Sequence, residues 1–126
     1  MSYIAKLVQS ILVKLFPAVP NKRIFEEHFI NYKKHKLFFD FYVRELRLFV
    51  EVQGQQHFKF VSHFHGDKEK FQGQVNRDNL KIEYVQEEDL YLVYINYDDE
   101  ITEDLMLTRI TEAMNNGTNY SGRKKK

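Results

Sequence analysis

The chain has 126 residues, a length that fits a single domain with one hydrophobic core. Hydrophobic residues make up 43% of it and charged residues 29%, which is typical of a compact soluble protein and excludes a disordered one. The net charge of +1 neither demands nor excludes a nucleic-acid partner, and the lack of cysteine excludes disulfides and thiolate zinc sites.

The first element in the chain is a predicted helix. Apolar residues recur at helical spacing over residues 4–15, Ser2 occupies the N-cap position, and Pro17 follows the last turn. This stretch is too short and too polar to cross a membrane, and no small-residue cleavage site follows it. We therefore expect a cytoplasmic protein with no membrane partner.

Three extended runs come next, over residues 23–32, 37–43 and 46–53. The short connection at residues 44–45 predicts a hairpin between the second and third runs. The third run alternates, so that Phe49, Glu51 and Gln53 share one face and Leu48, Val50 and Val52 share the other.

The second half of the chain predicts a helix, a strand and another helix. Residues 68–86 have helical periodicity, residues 90–95 form a continuous apolar run typical of a strand buried on both faces, and residues 101–114 are amphipathic. Residues 115–126 predict a basic, disordered tail. The order predicts one α/β domain over residues 1–114, with a mixed central sheet flanked by helices.

Two carboxylates of the predicted hairpin are candidate functional residues because of their positions. Asp40 lies in mid-strand among the aromatic residues 38–42, although Asp is disfavoured in strands and costly to bury without a partner. The hairpin would bring it beside Glu51, and two close carboxylates repel each other unless a cation lies between them. The alternatives are a solvated or lysine-paired Asp40 and a Glu51 on an exposed sheet face.

Polar residues extend this pattern beyond the hairpin. Gln53 shares the strand face of Glu51, and His57 follows in a loop where an imidazole could act as a general base. A hydrogen-bonded loop histidine is the alternative. His63 and His65 in the same loop would also permit a zinc site, which the spacing supports only weakly.

One carboxylate falls on the apolar face of the long helix. Asp78 occupies a position where its side chain would face the sheet, one turn before Lys81. A functional carboxylate and an internal salt bridge between these two residues fit this spacing equally well.

In combination, these residues resemble the PD-(D/E)XK, or restriction-endonuclease-like, nuclease superfamily. The resemblance rests on Asp40 with its neighbours, the run FVEVQGQQHF at residues 49–58, the run FHG at 64–66, Phe71, and the run RDNLK at 77–81. Within that superfamily the chain looks most similar to the very-short-patch-repair-like branch, which includes phage-associated homing endonucleases. The similarity covers residues 37–97, and its combined pattern is specific although each piece alone is weak.

The resemblance implies an αβββαβ core and a set of site residues. Asp40 and Glu51 would hold Mg²⁺, for which Mn²⁺ could substitute. Gln53 stands where the general pattern has lysine, so another residue must help to position the attacking water. The implied catalytic residues are Asp40, Glu51, Gln53, His57 and Asp78. If the protein is a nuclease, we expect non-specific contacts to DNA phosphates from Arg77, Lys81, Arg123, Lys124, Lys125 and Lys126.

The function predicted on this basis is a metal-dependent DNA endonuclease of the homing or the repair and recombination type. If it is phage-encoded, it would act in the host cytoplasm. One alternative is a resolvase for branched DNA, for which a homodimer would be expected. A second is a catalytically impaired DNA-binding module, because Ala5, Lys6 and Gln9 stand where similar sequences often carry an acidic residue. A third is an interaction protein whose acidic residues are merely solvated.

Overall fold

The protein is a mixed α/β fold. The structure, a computed structural model, describes residues 2–17, 24–54 and 68–124. In these ranges it contains three α-helices and five strands: α1 (Tyr3–Leu15), β1 (Ile24–Tyr32), β2 (His35–Val43), β3 (Leu48–Gln53), α2 (Lys68–Glu87), β4 (Tyr91–Asn96), α3 (Glu103–Asn115) and β5 (Tyr120–Ser121). None of these helices has the length and apolar character needed to span a membrane.

The five strands form one mixed sheet in the order β1-β2-β3-β4-β5. The first three strands are antiparallel, whereas β4 pairs in parallel with both β3 and β5. A 3-10 turn at Arg44–Leu46 and the left-handed Arg47 connect β2 to β3, so this connection is longer than the two-residue one that the sequence predicts. The hairpin pairing itself is confirmed.

Helices cover the sheet on both faces. α1 and α3 pack on one face, where Leu12 and Met106 are fully buried against strand residues such as Val50. α2 packs on the other face, where Val85 lies against Phe49 and Leu92. Because β4 contributes to both clusters, its continuous apolar run reflects burial on both faces, as predicted.

The first and last helices begin at side-chain caps. Ser2 Oγ accepts a hydrogen bond from Ala5 N at 3.1 Å, which confirms the predicted N-cap of α1. Thr102 Oγ1 accepts one from Leu105 N at 3.1 Å and caps α3 in the same way. α1 ends at Leu15, before Pro17.

The segment after α3 differs from the disordered tail that the sequence predicts. Tyr120–Ser121 form β5, whose two residues pair with Leu92 and Val93 of β4. The Ser121 hydroxyl donates to the Arg109 carbonyl, and the segment remains part of the fold as far as residue 124. These contacts are mainly hydrogen bonds and do not need a regular spacing of apolar residues. The composition of the segment therefore does not indicate that it is folded.

Candidate functional site

The geometry of the candidate site begins with a change of face in β2. Leu37 and Phe39 pack in the cluster on the α2 face, whereas Phe41 and Val43 pack in the cluster on the opposite face. Strict alternation would put all four on one face, so the strand turns over at Asp40. The sequence predicts Phe39 and Phe41 on a common face opposite to Asp40, and the structure corrects this by placing them in different clusters.

The carboxylates of Asp40 and Glu51 replace strand pairing where β2 turns over. The backbone ladder between β2 and β3 reaches Phe41, which pairs with Val50. Beyond this pair, Asp40 N donates to Glu51 Oε1 at 2.9 Å, and Val52 N donates to Asp40 Oδ2 at 2.6 Å. The structure therefore brings together the two carboxylates that the sequence predicts to meet.

The amine of Lys81 reaches the same point from α2. Its Nζ lies 2.7 Å from Glu51 Oε2 and 3.9 Å from Asp78 Oδ1, so the closer ion pair is with the strand carboxylate. Glu51 is 3% exposed, Asp78 2% and Lys81 8%. The sequence predicts Lys81 either as a contact to DNA phosphates or as the partner of Asp78. In the structure its ammonium is mostly buried and pairs more closely with Glu51 than with Asp78.

Burial controls the charge state of Glu51. The loss of solvent raises the pKa of its carboxyl group, the Lys81 ammonium lowers it, and the Asp40 carboxylate raises it, with a net increase above the ordinary value. Among the neighbours of Glu51, Lys81 contributes most to favouring its ionised form. Among Asp40, Glu51, Asp78 and Lys81, acidic groups outnumber basic ones by three to one.

Three further polar side chains lie beside Glu51 on the α2 face of the sheet. Gln53 is two residues along β3, and Tyr94 and Asn96 of β4 lie in register with Glu51 and Gln53, respectively. All three are at least 96% buried. Among the residues that the structure describes, Gln53 Nε2, the Tyr94 hydroxyl and Asn96 Oδ1 have no hydrogen-bond partner.

Such atoms are expensive in a protein core, because a buried polar atom without a partner costs about 1–3 kcal/mol. Burial raises the pKa of Tyr94, and the nearby charge of Glu51 raises it further, so this hydroxyl stays protonated and able to donate. Unpartnered buried polar groups at the carboxyl ends of two parallel strands are typical of a site that serves a ligand.

The C-terminal segment brings Arg123 to this region. Its guanidinium donates to Asn79 Oδ1 on α2, and its positive charge lowers the pKa of Tyr94 against the larger effect of burial. Gly122 makes this approach possible. It has φ +77°, and a Cβ atom there would lie 2.5 Å from the Tyr94 carbonyl oxygen.

The other predicted phosphate contacts are more peripheral. Arg77 lines an open groove of about 320 Å³ together with His35 and Asn76, along the exposed side of α2. Lys124 pairs with the exposed carboxylate of Asp98. His57, with His63 and His65, and Lys125 and Lys126 lie outside the described residues.

The residues that the sequence singles out thus fall into two groups in the described part of the chain. Asp40, Glu51, Gln53 and Asp78 come together, joined by Lys81, whereas Arg77 and Lys124 lie at the surface. The sequence did not single out Tyr94, because it lies inside an apolar run where a tyrosine is typical of the core, nor Asn96, which directly follows that run. The only sequence signal was a polar residue, Asn96, at the carboxyl end of a buried strand.

The donor chemistry of the pair fits a hard divalent cation. Asp40 and Glu51 offer carboxylate oxygens, which Mg²⁺ and Mn²⁺ prefer to nitrogen or sulfur. Within residues 2–17, 24–54 and 68–124, no group of three or more His, Asp or Glu side chains is arranged to hold a metal ion.

The comparisons with known proteins do not place the chain in a family. No protein-family model matches it, and no solved structure matches it significantly. A curated relative, Uncharacterized protein 307L of Invertebrate iridescent virus 6, is 41% identical over 58 residues. The match covers 46% of this chain but 29% of the viral protein, so the two share a segment.

Proposed function

We propose that this protein is a metal-dependent endonuclease that hydrolyses DNA phosphodiester bonds, and that its fold is a restriction-endonuclease-like core formed by α1, β1–β3, α2 and β4. The observation that supports this most directly is the meeting of Asp40 and Glu51 where the β2–β3 ladder ends. A buried Glu51 beside a half-buried Asp40 at a break in a sheet is costly for stability alone. The resemblance to the nuclease superfamily assigns both positions to metal binding.

The net negative charge of the cluster supports the binding of a cation. Burial is the main cause of the raised pKa of Glu51, and repulsion from the Asp40 carboxylate adds to it. Lys81 offsets part of this repulsion from one side of Glu51. Mg²⁺ held by the two carboxylates would polarise a phosphodiester and lower the pKa of an attacking water.

Lys81 supplies a function that Gln53 cannot. The superfamily pattern has lysine at the position of Gln53, and a neutral amide carries no positive charge. The ammonium of Lys81 reaches the same carboxylate from the helix, at 2.7 Å from Glu51 Oε2. Lys81 thus provides the positive charge beside the metal-binding pair, while Gln53 Nε2 remains available as a hydrogen-bond donor.

Groups around the cluster would bind the nucleic acid. Arg123 bonds to Asn79 of α2, and both Asn79 and Arg77 line the groove along this helix. Guanidinium groups bind phosphate oxygens in bidentate geometry. Their contribution is independent of sequence and weakens with salt. The resemblance also assigns His57 to the site, and we propose that it transfers a proton or stabilises charge.

The direct test is nicking of supercoiled plasmid with Mg²⁺ or Mn²⁺. Wild-type protein should nick the plasmid, and Asp40→Asn should reduce the rate by about 100-fold or more, because it removes a metal-binding charge. The Asn side-chain oxygen can still accept from Val52 N, so this variant should remain folded. Asp98→Asn, which changes an exposed acid paired with Lys124, is the matched control and should nick normally. Absence of nicking by the wild type, or equal nicking by Asp40→Asn, would refute the proposal.

A further inference from the structure

The β1–β2 hairpin carries an exposed aromatic patch, which we define as Phe29, Lys36 and Phe38. Phe29 is 47% exposed and Phe38 is 54% exposed. They pair across the two strands, with ring centroids 5.8 Å apart. Lys36 Nζ lies 4.2 Å from the Phe29 centroid and 5.6 Å from that of Phe38.

This patch lies away from the candidate site. Leu37 and Phe39 point to the α2 face, so Phe38 between them points to the opposite face of the sheet. Tyr32 and Lys33 at the hairpin turn bond to Glu83 of α2, which fixes the hairpin against the helix. The aromatic patch is therefore held on a supported hairpin, not on a free loop.

The surroundings of the patch are basic. Residues 28–39 contain three lysines and no acidic residue. Lys33 is paired with Glu83, whereas Lys34 and Lys36 are exposed. A surface that combines exposed aromatic rings with exposed ammonium groups is complementary to a polyanion whose own rings are accessible.

We propose that the aromatic patch binds unpaired bases of single-stranded nucleic acid. Phe29 and Phe38 offer π-faces on which bases stack without sequence preference, and Lys36 exchanges its contact with the ring for a phosphate. Duplex DNA does not fit this role, because its bases already stack on one another. This binding goes beyond the proposed cleavage and does not depend on a metal.

A second copy of the chain is a poorer occupant of the same surface. A two-fold dimer buries the same patch on both copies, so two Lys36 ammonium groups would have to share one small interface. Two rings also provide far less apolar area than the roughly 800 Å² per partner of a stable interface.

The experiment uses the absence of tryptophan from the chain. Phe38→Trp introduces a single indole at the patch, and titration with a dT oligonucleotide in EDTA should quench its fluorescence. Tyr3→Trp, at an exposed aromatic position on α1, is the control and should show no quenching. An oligo-U arm distinguishes RNA from DNA, and a duplex arm should quench far less. Quenching by the duplex equal to that by the dT oligonucleotide, or none by either single strand, overturns the proposal.

Truncation of the rings provides the second readout. Phe29→Ala with Phe38→Ala should weaken dT binding about tenfold or more, while Tyr3→Ala leaves it unchanged. Lys36→Gln should reduce the slope of log affinity against log salt by about 0.7. Both measurements are made in EDTA and repeated in Asp40→Asn, so that failure of cleavage and failure of this proposal are distinguishable. If the double variant alters only the oligomeric state, the patch is a self-association surface and the proposal is wrong.

Discussion

Lys81→Met tests whether the buried cluster depends on one ammonium group. At the observed separation of 2.7 Å, the Coulomb attraction between Lys81 and Glu51 is about 6 kcal/mol for an effective dielectric constant of about 20. Desolvation offsets much of this attraction, and removal of one partner of a buried pair costs about 3–5 kcal/mol in total. Met preserves most of the packing of the lysine stem, so the loss should reflect charge.

The loss of stability in Lys81→Met should depend on pH in a defined direction. The pKa of Glu51 is already above its ordinary value of 4.5 in the fold, and removal of Lys81 raises it further. The folded variant then binds more protons than the unfolded chain, so its stability falls as pH rises through the interval between the unfolded and folded pKa values. The deficit relative to wild type should be small near pH 4.5 and largest at pH 8.

Thermal melting followed by circular dichroism at several pH values is the assay. A loss of about 3 kcal/mol lowers Tm by roughly 10 °C in a chain of this size. Lys81→Met combined with Glu51→Gln should recover most of that loss, because no unpaired charge remains, and Lys124→Met should melt like wild type, since its pair is exposed. If the single variant melts within 1–2 °C of wild type at pH 8, or if its deficit does not change with pH, the charge argument is refuted.

Three further predictions address the surroundings of the cluster. Tyr94→Phe removes a buried hydroxyl without a described partner, so it should raise the free energy of unfolding by about 1 kcal/mol. The same variant should nick plasmid more slowly. A lower free energy of unfolding in urea would contradict this prediction. Gly122→Ala should lower the free energy of unfolding by about 2–4 kcal/mol in the same urea assay, because φ is +77° and the new Cβ would lie 2.5 Å from the Tyr94 carbonyl oxygen. An unchanged urea midpoint would show that residue 122 is not held beside Tyr94. Burial alone raises the pKa of Asp99, but hydrogen bonds from Arg109 and Asn96 N outweigh it and lower the pKa below 3.8. Arg109→Met should therefore destabilise the fold at neutral pH, and its deficit should shrink as pH falls through the lowered pKa of Asp99; a deficit that is constant with pH would contradict this.

Local signals in the sequence are enough to predict most elements of the fold. Ser2 at the N-cap and the apolar spacing behind it define α1, and the alternation from Leu48 to Gln53 defines β3 and its two faces. The buried run at β4 is equally clear. These features succeed because each depends on neighbours within one or two turns or on a period of two.

The remaining features depend on contacts between distant residues. The turn of β2 at Asp40 has no local signature, because the residues on both sides of it are apolar and either face of the strand could be the buried one. Lys81 could have reached either Asp78 or the sheet, and only the packing of α2 favours Glu51. Residues 115–124 have the composition of a tail, yet hydrogen bonds such as that from Asn96 Nδ2 to the Gly122 carbonyl oxygen, at 2.8 Å, fix them to β4.

The two carboxylates at the end of the β2–β3 ladder act as backbone acceptors, and this gives the protein natural reporters of occupancy. Any ligand that draws electron density from Asp40 Oδ2 or Glu51 Oε1 weakens the hydrogen bond from Val52 N or Asp40 N. The amide resonances of these two residues should therefore move first in a nuclear magnetic resonance titration, before any change reaches the helices. Solvent exchange of the same two amide protons should also become faster when the ligand binds, because their hydrogen bonds weaken. Two backbone amides between β2 and β3 would thus report ligand binding by the side chains.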